Sequence, residues 1–174
     1  MSTLVGIVDG KNVYLGADSL ASTEDGDVRP IKCRKIFKNG PYLIGFIGSV
    51  RGGQVLYPEY FTPPKKVEQL PDAIIAQSAE KGCLITSEQS TSLHACNFLI
   101  GFKGKLYEIL VDFQINEIES YTSVGSGSYY AFGSLHTTEQ MKDDFTPEMR
   151  IELALEAAQA FSTSTQGPFY VVKM

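Results

Sequence analysis

Two apolar, alternating runs, residues 3–9 (TLVGIVD) and 12–18 (NVYLGAD), meet at an Asp9-Gly10 step. That dipeptide favours the left-handed backbone of a tight turn, so the chain opens as an antiparallel hairpin. The pairing has a chemical consequence. Counting back from the turn sets positions near 18 opposite positions near 2, which brings the Asp18 carboxylate to the start of the chain. Removal of Met1 would leave Ser2 there, with a hydroxyl and a free α-amino group on adjacent carbons. An α-amine titrates at about 7.7–8.0 in short peptides, close to what a general base needs. A terminal hydroxyl activated by its own amine is an accepted nucleophile.

The rest of the chain continues in sheets and helices. Residues 19–30 (SLASTEDGDVRP) are polar, acidic and broken by Gly26 and Pro30, which predicts a loop. Residues 35–38 and 42–48 read as a second hairpin around Asn39-Gly40-Pro41, its second arm covered on both faces. A helix is expected near Ser49, weakened by Gly52, Gly53 and Pro58, and another over 71–81 with Gly82 as its stop. Strands follow at 97–102, 105–111 and 117–123. A Gly125-Ser126-Gly127-Ser128 corner then leads into a helical stretch to about Leu135. Thr146-Pro147-Glu148 starts a last helix whose apolar face is Ile151, Ala154, Leu155 and Ala158, and 167–173 closes as a strand. The pattern predicts one α+β domain over residues 1–174, two sheets packed face to face beneath outer helices.

Composition excludes several functions. The net charge of −5 argues against nucleic acid. The one basic cluster (Lys32, Arg34, Lys35, Lys38) alternates with Cys33, Ile36 and Phe37 as a strand would. Three cysteines, Cys33, Cys83 and Cys96, are odd in number and unevenly spaced, as expected of free thiols in a reducing cytoplasm. No secretory signal or long apolar run is present, so no membrane role is expected. His94-Ala-Cys96 lacks zinc-site spacing, and residues 125–128 fit neither phosphate-loop pattern. No metal or other cofactor is expected.

Several residues can be brought to Ser2. A buried ammonium paired with Asp18 would disfavour protonation of the neighbouring amine and stabilise a developing alkoxide. Lys35 and Lys32 both qualify. At the strand-to-helix junction Gly48-Ser49, small residues let a substrate carbonyl approach backbone N–H groups.

These pieces together carry a resemblance. Ser2-Thr-Leu-Val, Val13-Tyr-Leu-Gly-Ala-Asp-Ser19, Arg34-Lys-Ile36, Pro41-Tyr-Leu-Ile-Gly-Phe-Ile-Gly48 and Ser123-Val-Gly-Ser-Gly-Ser-Tyr-Tyr-Ala-Phe-Gly133 resemble the proteasome β-subunit family, including its bacterial relative, the HslV peptidase. The likeness covers about 1–50 and 120–172, with Ser2 and Asp18 16 positions apart as in the family. It implies an N-terminal-nucleophile hydrolase with a four-layer αββα sandwich, two antiparallel sheets between helix pairs, assembled into homo-oligomeric rings. It also implies a polypeptide substrate, and a separate ATPase unfoldase as a potential partner. By position it implies Ser2 as nucleophile and base, and Asp18 and Lys35 as the supporting pair. The Ser49 N–H would be the oxyanion donor, and Ser126 the hydroxyl near the terminal amine. Ala21 and Ile47 would line the specificity pocket, which favours apolar side chains.

The chain departs from the family in using serine for the usual threonine, which removes the β-methyl that restricts χ1. Ser162 falls where a late aspartate is usual, and Thr165 where serine is common. Two other readings are a non-proteolytic amidase with the same terminal chemistry and an inactive scaffold subunit. Inactive members of the family carry a blocking N-terminal extension, which is not expected here.

Overall fold

The computed structural model describes residues 2–22, 28–30, 33–87, 90–94 and 96–174. The opening hairpin forms as expected: β1 (Thr3–Asp9) pairs with β2 (Asn12–Ala17), with Asp9 opposite Asn12 and Leu4 opposite Ala17. Gly10 takes the left-handed conformation at the turn, φ +60°. Short strands β3 (Leu20–Ser22) and β4 (Val28–Pro30) pair within the segment expected to be loop. That correction reflects a two-stranded ladder made in polar sequence; residues 23–27 of the segment lie outside those described.

The second hairpin is β5 (Ile36–Asn39) and β6 (Tyr42–Gly48). The helix expected near Ser49 is a five-residue α1 (Val50–Gln54), capped by the Ser49 side chain. A 3-10 turn (Val67–Gln69) leads into α2 (Leu70–Glu80). A ladder of β7 (Leu84–Ser87) and β8 (Ser90–His94) follows, where no strand was expected. The antiparallel run then continues through β9 (Cys96–Phe102) and β10 (Lys105–Ile109).

The strand expected over 117–123 is two strands. β11 (Ile115–Ile118) pairs with β10, whereas β12 (Tyr121–Gly125) crosses to the other sheet and pairs with β1. α3 (Ser128–Glu139), α4 (Pro147–Phe161) and β13 (Tyr170–Lys173) complete the chain, β13 pairing with β2.

Besides the two short ladders, the described residues form two larger sheets, ordered β12-β1-β2-β13 and β11-β10-β9-β6-β5, antiparallel throughout. Strand alternation sorts the side chains into three apolar layers. Leu4, Leu15, Leu43, Leu99 and Leu106 fill the space between the sheets. Val5, Ile7 and Tyr14 face α3 and α4 through Ala131, Leu135, Ile151 and Leu155. Tyr42, Ile44, Phe46, Phe98 and Ile100 face the α1–α2 side through Val55, Leu56, Leu70 and Ile74. The architecture is the αββα sandwich. It leaves Ser2 at the end of a central strand, in phase with Leu4 and Gly6 on the inter-sheet face.

Candidate active site

Ser2 precedes β1 and is 8% exposed. Asp18 follows β2 and is anchored by the hairpin itself. Its N–H donates to the Thr3 carbonyl (3.3 Å), and its Oδ1 accepts the Thr3 N–H (3.0 Å). Lys35 lies just ahead of β5, its carbonyl accepting the Phe46 N–H at 3.0 Å. Its ammonium bridges the other two: Nζ donates to Ser2 Oγ at 2.8 Å and to Asp18 Oδ1 at 3.0 Å. The ion pair is sealed from water, with 7% of the lysine side chain and none of the aspartate exposed. Burial pushes the Lys35 ammonium below its ordinary 10.5, against the pull of the Asp18 carboxylate. A proton donor of this kind beside a hydroxyl favours the alkoxide form of that oxygen.

The Ser2 backbone is held from the opposite side. Gly125 (φ +112°) passes so close that a Cβ there would sit 2.0 Å from the Ser2 carbonyl oxygen. Only glycine fits both the conformation and the approach. The next residue, Ser126, donates its backbone N–H to the same oxygen at 3.2 Å, while Ser126 as a whole is exposed. Thr3, one residue out of phase with Ser2, turns toward α4, and its Oγ1 lies 2.5 Å from Thr165 Oγ1. Gly127 runs against both hydroxyls. Ser162 ends α4, and its Oγ accepts the Ser164 N–H at 3.3 Å.

Ser49 caps α1: its Oγ accepts the Gly52 N–H at 3.1 Å. Its carbonyl accepts the Gly53 N–H and the Cys96 thiol, each at 3.1 Å. Burial pushes that thiol up to about 12, so it stays protonated and can donate. Gly48, immediately before, has φ +103°. Ile47 is buried among the inter-sheet residues, its Cδ1 against Gly125. Ala21 belongs to β3, and its side chain, like all of Lys32, lies outside what is described. A pocket of about 400 Å³ opens at the β13–β5 edge of the inter-sheet space. Asp18 and Lys35 form part of its wall, with Cys33, Ile36, Tyr170 and Val172.

The structure thus brings Ser2, Asp18 and Lys35 into direct contact and sets Ser126 against the Ser2 backbone. Ser49 and Ile47 lie at the end of β6, Ile47 reaching the same glycine that clamps Ser2. The Thr3–Thr165 contact joins residues 162 apart in the chain, and no local pattern signals it. Among the described residues no cluster of histidine, cysteine, aspartate and glutamate could hold a metal ion. No helix among them is long and apolar enough to cross a membrane.

No protein-family model matches the sequence, and no curated protein is similar to it. Solved structures are. Thiobacillus denitrificans BPH, seen alone and in complex with Epoxomicin, superposes with a TM-score of 0.81 at 18% identity, over 99% of this chain and 97% of that one. The eukaryotic HslV from Trypanosoma brucei superposes with a TM-score of 0.72 at 18% identity, over 98% of each chain. The chain has the fold of these HslV- and proteasome-like proteins, the fold that the resemblance in sequence implied.

Proposed function

We propose that this chain is an N-terminal serine peptidase of the HslV and proteasome type, active once Met1 is removed. The observation that carries the proposal is the Lys35 ammonium, hydrogen-bonded at once to Ser2 Oγ and Asp18 Oδ1 in a buried site. The fold shared with HslV supports it, as does the binding of Epoxomicin by another protein of that fold.

The chemistry follows from the placement. The freed Ser2 amine takes the hydroxyl proton as Oγ attacks a peptide carbonyl, and the Lys35 charge stabilises Oγ as it becomes nucleophilic. The carbonyl oxygen gains negative charge in the tetrahedral intermediate, and the Ser49 N–H at the α1 cap receives it. Collapse breaks the C–N bond; the leaving amine takes the proton from the Ser2 ammonium. Water, deprotonated by the same amine, then cleaves the Ser2 ester and returns the hydroxyl. Asp18 keeps Lys35 charged and aimed. Assembly into a ring in the cytoplasm would confine this activity to unfolded chains, delivered by a separate ATPase.

The test is Ser2→Ala in protein lacking Met1. Peptide turnover should fall at least about 1,000-fold, the scale on which nucleophile removal acts, with fold and particle size unchanged by circular dichroism and light scattering. Turnover that persists would place the nucleophile elsewhere.

A further inference from the structure

In a chain of net charge −5, four lysines line one groove. The groove, about 510 Å³, lies between residues 65–68 and the β9–β10 turn, which supply Lys65, Lys66, Lys103 and Lys105. Glu117 accepts a hydrogen bond from Lys105 at 2.9 Å, and Glu68, also in the wall, acts on Lys105 through space. Among the described residues no carboxylate forms an ion pair with Lys65, Lys66 or Lys103. All three are exposed. Gathering like charges in one place opposes folding, so the fold itself gives no reason for this arrangement.

The groove is built on fixed parts. The Tyr42 hydroxyl donates to the Pro64 carbonyl at 3.0 Å, and the Tyr42 ring stacks on Phe102 with 4.4 Å between centroids. Those contacts tie the segment before Lys65 to the sheet. Phe102 pairs with Lys105, so Lys103-Gly104 is a two-residue turn with both residues at positive φ, +50° and +77°. Asparagine or aspartate is the usual first residue of such a turn. Lysine there holds an ammonium over the Phe102 ring, 5.0 Å from its centroid. The same turn abuts the β1–β2 turn, where a Cβ on Gly104 would meet the Lys11 carbonyl oxygen at 2.9 Å. The groove therefore lies at the far end of seven-residue β1 from Ser2, about 20 Å away.

We propose that this groove docks an acidic segment of a partner protein, its carboxylates flanking an apolar side chain. The ammoniums supply the charge, while their stems, with Val67, Phe102 and Tyr107, supply an apolar floor. Phe102 and Tyr107 are only 6% and 9% exposed, so neither offers a ring face on which a base could stack. Lysine presents a point charge, without the planar fork by which arginine grips a phosphate. The acidic remainder of the chain opposes a long polyanion more than a short segment seated among the lysines. The assignment is independent of the chemistry at Ser2.

The probe is the heptapeptide Glu-Asp-Glu-Leu-Glu-Asp-Glu carrying a neutral fluorophore, titrated by anisotropy into Ser2→Ala protein so that it is not cut. At about 50 mM salt it should bind at least about tenfold more tightly than its glutamine and asparagine counterpart, an advantage that shrinks at least about threefold at about 0.5 M salt. Lys66→Glu with Lys103→Glu should weaken binding at least about tenfold and leave the melting temperature where it is. Lys81→Glu with Lys142→Glu makes the same change of charge away from the groove and should cost less than about twofold. Equal binding of the neutral peptide, or equal losses in the two double variants, would overturn the site. A single-stranded oligonucleotide of equal charge that displaces half of the bound probe at a lower concentration than unlabelled acidic peptide does would overturn the class of partner.

Discussion

Two lysine–carboxylate pairs in this molecule have nearly the same length and opposite physics. Lys35 and Asp18 lie 3.0 Å apart, Lys105 and Glu117 2.8 Å apart. The first pair is sealed within the site, whereas the second leaves 56% and 50% of its side chains in solvent. Burial dominates at Lys35 and pulls its proton affinity down; the hydrogen bond that Lys105 donates to Glu117 dominates at Lys105 and raises its affinity. A surface pair gains little because water screens it. A buried pair must offset the loss of hydration at both ions, and an apolar pair of the same volume is often as stable. Length therefore says little about what an ion pair does. A buried pair that also donates to a hydroxyl is the one to read as chemistry.

Breaking the buried pair should have the largest effect. Lys35→Met removes the charge beside Ser2 Oγ, and peptide turnover should fall about 100- to 1,000-fold, the scale of losing an electrostatic stabiliser. It also strands the Asp18 carboxylate, so urea denaturation should show a loss of about 3–5 kcal/mol. Adding Asp18→Asn should restore most of the stability and none of the turnover. Recovery of both would make the pair structural.

The alkaline range sharpens the contrast. Because Lys35 binds its proton less tightly folded than unfolded, the unfolded chain holds more protons between the depressed value and 10.5. Its contribution to unfolding free energy therefore rises with pH across that window. Lys105 has the opposite sign: its contribution is present below 10.5 and lost as pH rises through the raised folded value. Solvent exposure keeps that second contribution small. Denaturation from neutral pH toward 10.5 should show a rising component in wild type that the Asp18→Asn/Lys35→Met protein lacks. An identical pH profile in both would contradict the cause given for the Lys35 shift. Lys105→Met, the smallest change, should leave turnover and denaturation midpoint where they are.

What the sequence makes legible is local. The Asp9-Gly10 turn fixes a register that carries Asp18 to the start of β1, so half of the site follows from one hairpin. The Thr146 cap and Pro147 mark the start of α4 unaided. Residues 117–123 read as one strand because nothing within them signals that β12 leaves its neighbours for β1. The β3–β4 and β7–β8 ladders escape for a different reason: they are short and lie in polar segments without a sustained alternation. Within the site, spacing leaves Lys35 and Lys32 as alternatives, and a three-dimensional contact shows what Lys35 touches.

Intact-mass measurement of the native protein, before and after an epoxyketone, reaches the centre of the account. An epoxyketone closes its ring only on a residue that offers a hydroxyl and a free amine together. The protein should weigh one methionine less than its full sequence and gain a single adduct, which peptide mapping places on Ser2. An active protein that keeps Met1, or an adduct on any other residue, would contradict the claim that the terminal serine does the chemistry.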